Sequence, residues 1–226
     1  MPNEKLAPAQ QRRLALFLVS PVLILGAVYV LYAALDTLQR LDVIEAERDT
    51  WQRPRDVITA LELHPGNVVV DLGSGAGYFA LKLAPVVGNS GRVLAVDLRK
   101  LSLAFLWIRA ASRRFGNLHV IVGDENDPRL PPGAIDAVLV VNTYHELSSP
   151  DAILERLYRA LGPGGRLVIA DRAADTDAAA SRQEHASSLA QAEERVRSHG
   201  FEIVRTDNQF IDRPGDEVWW LLVARK

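Results

Sequence analysis

The chain contains no cysteine. Disulfides, cysteine zinc sites and any mechanism that needs a thiol nucleophile are therefore excluded. It has little net charge: 26 Lys and Arg against 28 Asp and Glu leave −2, with no electrostatic footprint for nucleic acid. No repeat or low-complexity segment interrupts it. What remains is 226 residues, room for one α/β domain plus an appendage.

The appendage is the one long apolar run, Leu14 to Leu35, 22 residues without a charge. As a helix it measures about 33 Å, enough to span a hydrocarbon core of about 30 Å. Pro21 and Gly26 are tolerable in such a helix, and Tyr29 and Tyr32 suit an interfacial position near its end. A cleaved signal peptide is the rival reading, with a buried soluble helix as a third. Signal peptides carry a shorter apolar core of about 7–15 residues and a small-x-small cleavage site, for which Tyr32-Ala33-Ala34-Leu35-Asp36 is poor. The expected organisation is a flank over 1–13, a transmembrane helix over 14–35, a helical stalk over 36–50 and a domain over 51–226. Lys5, Arg12 and Arg13 precede the span, and Arg40, Arg48, Arg53 and Arg55 follow it, so the positive-inside count is nearly tied; the Arg12-Arg13 pair at the membrane edge favours a cytoplasmic N-terminus, which would put the domain outside.

Residues 69–77 read Val-Val-Asp-Leu-Gly-Ser-Gly-Ala-Gly. A β-branched run ends in Asp71, glycines follow at 73, 75 and 77, and a helical pattern starts near Tyr78. That is a strand, a tight turn and a helix, the opening unit of a nucleotide-binding α/β sheet. In a dinucleotide fingerprint, G-x-G-x-x-G, the third glycine counted from Gly73 falls at Tyr78. This disfavours a nicotinamide-dependent oxidoreductase, which stays as an alternative beside a non-catalytic, membrane-tethered ligand-sensing domain. A second short strand, Arg92 to Val96, ends in Asp97, 20 residues past Gly77. A carboxylate at that tip can accept both ribose hydroxyls of a nucleoside.

Further elements follow in order. Strands are expected at 118–122, 136–142 and 166–171, and a helix from Ser149-Pro150 to Leu161. A charged helix over 182–199 ends at Gly200, and two strands, 201–204 and 218–223, are joined through 213–216 as an antiparallel pair. The sequence D-x-G-x-G-x-G with Asp97, and the L-G-P-G-G-R-L turn at 161–167, resembles the class I S-adenosylmethionine-dependent methyltransferases over about residues 47–226. It is most similar to their small-molecule, UbiE-like or type-11 branch. The resemblance implies a Rossmann-like α/β fold: a seven-stranded doubly wound sheet with an antiparallel last strand. It also implies S-adenosyl-L-methionine as cofactor, a small-molecule or lipid acceptor, and, because the donor is made in the cytoplasm, a domain facing that side of the membrane. The missing cysteines argue against branches that act through thiols, such as arsenite and cytosine-C5 methyltransferases.

By the same resemblance, Asp71, Gly73, Ser74, Gly75 and Gly77 would hold the methionine end and ribose, with Asp97 on the ribose. Leu98 would pack near adenine, Asp124 would meet its amine, and Asn142 would stand beside the donor's methyl. The segment Tyr144-His145-Glu146 follows the fourth strand and faces the acceptor. Methyl transfer is an in-line displacement in which alignment and exclusion of water dominate. An oxygen or carbon acid also needs a base, and His145 is the candidate, with Glu146 as alternative and Tyr144 shaping the pocket. His145 could instead only cap the next helix. Asp124, Glu125 and Asp127 form an acidic run that reads as a solvated loop rather than a metal site, since no acid stands at the fourth strand's tip before Glu146. Of the other histidines, 64, 119, 185 and 199, only His185 lies where a loop could cover an acceptor. The resemblance puts Trp51-Gln52-Arg53-Pro54 at the lip of the cofactor pocket, with a purely structural Trp51 as the alternative, and Trp219 and Trp220 should face opposite sides of a strand.

Overall fold

A computed structural model of the chain describes residues 8–173, 188–211 and 218–226, with side chains from residue 23 on. The chain divides into two units, Met1–Glu47 and Arg48–Lys226. In the first, every described residue belongs to α1 (Pro8–Trp51), whose last turn falls in the second unit. Leu23, Ile24, Leu25, Val28 and Val30 of α1 all stand more than half exposed. By length and composition α1 is able to cross a membrane, a property it shares with signal sequences.

The second unit is built around one seven-stranded sheet. Its elements are α2 (Pro54–Ala60), β1 (Val68–Leu72), α3 (Ala80–Val87), β2 (Arg92–Asp97), α4 (Lys100–Ser112), β3 (Leu118–Val122) and β4 (Ile135–Val141). A 3-10 turn (Tyr144–Glu146) follows, then α5 (Pro150–Ala160), β5 (Leu161–Arg172), α6 (Leu189–Ser198), β6 (Glu202–Ile211) and β7 (Trp219–Arg225). The strand order is β3-β2-β1-β4-β5-β7-β6. The first five strands are parallel, and β7 inserts antiparallel between β5 and β6. This is the Rossmann-like doubly wound sheet that the sequence predicts. The order reverses between β1 and β4, which places the switch point at the carboxyl ends of those two strands.

Two apolar layers cover the sheet. One packs Val57, Leu83, Leu106 and Trp219 on one face; the other packs Leu154, Leu157, Val196 and Trp220 on the opposite face. Alternation along a strand assigns neighbouring residues to opposite faces, so the adjacent Trp219 and Trp220 anchor different layers. Trp219 meets Trp51 edge-on at 5.8 Å, and Trp220 meets Tyr144 at 6.1 Å.

Two expectations shift and a third lies outside the described residues. The described helix α6 begins at Leu189, where Ser188 and Gln191 form a reciprocal capping box that satisfies the first free N–H groups; residues 182–187, with His185, lie outside the described residues. β6 runs to Ile211 rather than stopping at 204, because pairing with β7 continues across two register shifts. The expected connection at 213–216 lies outside the described residues.

Candidate functional site

The glycine turn is tied down from below. Gly73 and Ser74 N–H both donate to Val96 O, at 2.8 and 3.0 Å, joining the turn to the tip of β2. Each glycine has its own neighbour. A Cβ on Gly73 would strike Thr143 Oγ1 at 2.1 Å, and one on Gly77 would strike Leu106 Cδ1 at 2.2 Å. Gly75 (φ +53) would instead send a Cβ into open space. Thus Gly73 lets the loop after β4 approach, Gly77 lets α4 approach, and Gly75 leaves a bare backbone facing outward, available for close contact with a ligand. From below, buried Arg109 donates to Ala76 O at 2.7 Å.

Asp97 is 5% exposed. Its Oδ2 accepts the Gly75 N–H at 2.8 Å and its Oδ1 the Arg99 N–H at 2.8 Å, with Arg99 Nε 3.2 Å from Oδ1. Arg99 Nη2 lies 3.5 Å from Oδ2 as a fourth contact, so the roughly four lone-pair sites of the carboxylate are met and a further donor takes the place of the Arg99 side chain. Asp71 is 3% exposed and its Oδ2 has no hydrogen-bond partner. Burial pushes its carboxyl up to about 7; the Ala80 backbone N–H and Arg48 pull it down, and the charge of Asp97 pushes it up again. Ser74 Oγ and Asn142 Oδ1 are likewise buried and unpartnered. Asn142 holds φ +52 just past β4, with its N–H on Ala170 O at 2.9 Å. Unsatisfied buried acceptors are costly. Three polar side chains in this state, after adjacent strands β1 and β4, call for a ligand rich in N–H donors.

Beyond β4, His145 stands in a network the sequence reading does not contain. Its Nδ1 lies 2.7 Å from Asp171 Oδ1, and its backbone N–H donates to Asp171 Oδ2 at 3.1 Å. Asp171 ends β5 fully buried. Arg172 Nη2 lies 2.6 Å from His145 Nε2. An arginine only donates, so Nε2 is the acceptor and Nδ1 carries the proton toward Asp171. Glu146 is exposed, 3.7 Å from Nε2, and its charge also reaches Arg99.

Tyr144 departs from its expected place. It is 3% exposed, packs against Trp220 within the core, and its hydroxyl is pushed up by burial. A ring turned into the apolar layer does not line an acceptor pocket. Leu98 is 53% exposed, just past the tip of β2. Asp124 is exposed, closes a tight turn with Asp127 and lies 3.9 Å from Arg129. The lip segment is only partly at the surface: Gln52 is buried, and Trp51 packs on Trp219. Just before it, Arg48 lies 3.9 Å over the Tyr78 ring, whose hydroxyl donates to Asp49 at 2.7 Å. Arg48, Arg99, Asp171 and Arg172 are the residues the sequence reading passed over. Only Asp171 carried a usable signal, being an acid at a strand tip like Asp71 and Asp97. A polar cavity of about 250 Å³ lined by His64, Asp136 and Arg166 lies where β4 begins and before β1, away from the carboxyl ends.

Against known proteins, a family model described as a methyltransferase domain matches residues 63–209. The ubiquinone/menaquinone biosynthesis C-methyltransferase UbiE of Hydrogenovibrio crunogenus is 29% identical over 120 residues, 53% of this chain and 46% of that protein. An arsenite methyltransferase of Aquipseudomonas alcaligenes is 37% identical over 126 residues, 52% of this chain and 36% of that protein. The matches thus span less than half the length of these relatives. Among solved structures, a SAM dependent methyltransferase from Aquifex aeolicus superposes with a TM-score of 0.69 at 24% identity, covering 83% of this chain and 97% of that one. The [4+2]-cyclase SpnF superposes at 0.67 with 21% identity, covering 77% and 80%.

Proposed function

We propose, for a chain that belongs to the class I S-adenosylmethionine-dependent methyltransferases, that it moves the donor's methyl group to a small or lipid-like acceptor from a membrane-anchored domain. The observation that carries this reading is the cradle at the strand tips: orphaned Asp71 Oδ2, Ser74 Oγ and Asn142 Oδ1 beside the open face of Gly75. These residues fit the cofactor. The unpartnered polar atoms suit its ammonium, the bare Gly75 backbone suits close approach, and Asp97 accepts ribose hydroxyls once the exposed Arg99 side chain turns away from it. When bound, S-adenosylmethionine supplies a methyl group on a positively charged sulfur that is already activated for displacement.

The protein's own part is alignment, exclusion of water and, for an oxygen or carbon acid, removal of a proton. His145 is the base in this reading. Asp171 holds its Nδ1–H and so directs the lone pair of Nε2 outward. Arg172 donates to that lone pair in the present arrangement, so Nε2 takes a proton once Arg172 turns to another acceptor. Glu146, exposed and near both His145 and Arg99, can meet a cationic acceptor instead. Leu98 and Asp124 serve the adenine end. Arsenic(III) is a poor acceptor here, because soft metalloids seek thiolates and the chain has none.

The α1 segment 14–35 is the anchor, 36–50 the stalk, and the domain faces the cytoplasm, where its donor is made. Calorimetry tests the cofactor: S-adenosylhomocysteine should bind and NAD should not. Tracing a labelled donor methyl into membrane extracts by mass spectrometry identifies the acceptor. Tight NAD binding with no response to S-adenosylhomocysteine sinks the reading in favour of an oxidoreductase. Cofactor binding without any labelled product favours a sensing domain.

A further inference from the structure

Helix α4 has a second face that the cofactor site does not use. Its inner stripe, Leu103, Leu106 and Ala110, is buried in the core. Leu101, Ala104, Trp107, Ile108 and Ala111 recur at helical spacing on the outside, and all are exposed. Leu101 is 72% and Trp107 62% exposed. A helix apolar on both faces is normally buried on both, and a continuous apolar surface patch marks an interaction site.

Along this stretch of sequence the charge has one sign, with Arg99 at its start paired to Asp97. From residue 98 to 123 the chain carries Arg99, Lys100, Arg109, Arg113 and Arg114 and no Asp or Glu, although the whole chain is at −2. All of these but Arg109 are exposed. An open groove of about 360 Å³ runs beside the stripe, with Trp107 and Phe115 in its wall and Arg114 in its lining.

We propose that the outer face of α4 rests on an anionic phospholipid bilayer. Trp107, Leu101 and Ile108 enter the boundary between headgroups and acyl chains, and Lys100, Arg113 and Arg114 meet lipid phosphates. An apolar stripe flanked by cations alone is the composition that interfacial helices use, and juxtamembrane basic residues are drawn to anionic lipid. A bilayer also accounts for the stripe and the one-signed charge together. The inference adds to the membrane reading of α1 but stands on different residues.

Tryptophan quenching tests it with the full chain. Of the four tryptophans, Trp219 and Trp220 are buried and Trp51 packs on Trp219, so Trp107 alone is widely exposed. The chain is reconstituted in vesicles of brominated phosphatidylcholine, with and without phosphatidylglycerol. The expected result is strong quenching in the anionic vesicles that is mostly lost in W107F. It should weaken in R113E/R114E and with added salt, while W107F keeps wild-type thermal stability and affinity for S-adenosylhomocysteine. Equal quenching of wild type and W107F overturns the proposal, as does quenching indifferent to phosphatidylglycerol. Carbonate extraction of the same samples reports on α1 separately. Retention without Trp107 quenching leaves the anchor and removes the α4 contact; release with quenching does the reverse.

Discussion

Asp71 is a carboxyl group near the tip of β1 that the fold keeps from water. Its folded value is raised from 3.8 to about 7, so its favourable contribution to stability is full below the ordinary value and is lost as pH rises through about 7. The stability difference between wild type and D71N, measured by calorimetry without cofactor, should therefore move against the wild type between pH 4 and 7 and level off above. S-adenosylhomocysteine should shrink that difference at high pH by offering its ammonium to the carboxylate. Gly75→Val places a branched side chain at φ +53 in the open face of the turn. The expected outcome is loss of S-adenosylhomocysteine binding by calorimetry while the circular dichroism spectrum is retained. His145 is the third test. As base, His145→Ala should lower kcat by about 10²–10⁴ with nearly unchanged cofactor affinity. Turnover close to wild type removes it as base and leaves alignment as the account. D171N keeps the shape but weakens the hold on Nδ1, and should lower kcat with nearly unchanged cofactor affinity.

At the scale of elements, the glycine turn and α4 act as one packed unit. Arg109 ties α4 to Ala76 O, and Leu106 fills the space that only a glycine at 77 leaves. Gly77→Ala at φ +98 overpacks this contact and should cost about 1–3 kcal/mol. Leu106→Ala opens a cavity instead, at about 2–5 kcal/mol. Because both act on one contact, urea denaturation of the double variant should show less destabilisation than the two single losses combined. Strict additivity would mean that the turn and helix are energetically independent.

For the whole molecule, the chain should remain in the membrane fraction after high-salt and carbonate washes, because the described part of its apolar run, from Leu23 on, is mostly exposed. A chain lacking residues 1–35 should move to the soluble fraction and still bind S-adenosylhomocysteine, since the compact unit begins at Arg48. Recovery of a shorter chain starting near Leu35 would mean cleavage, and would reverse the assignment of the domain to the cytoplasmic side. The fold alone does not settle the reaction: a structure that superposes on this chain is titled a [4+2]-cyclase.

What the sequence determined by itself was local in origin. A strand, a glycine turn and a helix are written in adjacent residues, so Asp71, the three glycines and Asp97 could be placed at strand tips by period and spacing alone. The strand order itself came from the tertiary pairing. The tertiary structure decided what depends on distant partners. Asp171 meets His145 across 26 positions because β4 and β5 pair in parallel and bring their tips together. Tyr144 turns inward because Trp220, on the last strand, builds the layer that receives it. Arg109 reaches Ala76 across 33 positions, and Arg48 lies over Tyr78. Such contacts leave no periodic trace in the chain, since they are fixed by register and packing, and they are the ones that set the orientation of His145 and the support of the glycine turn.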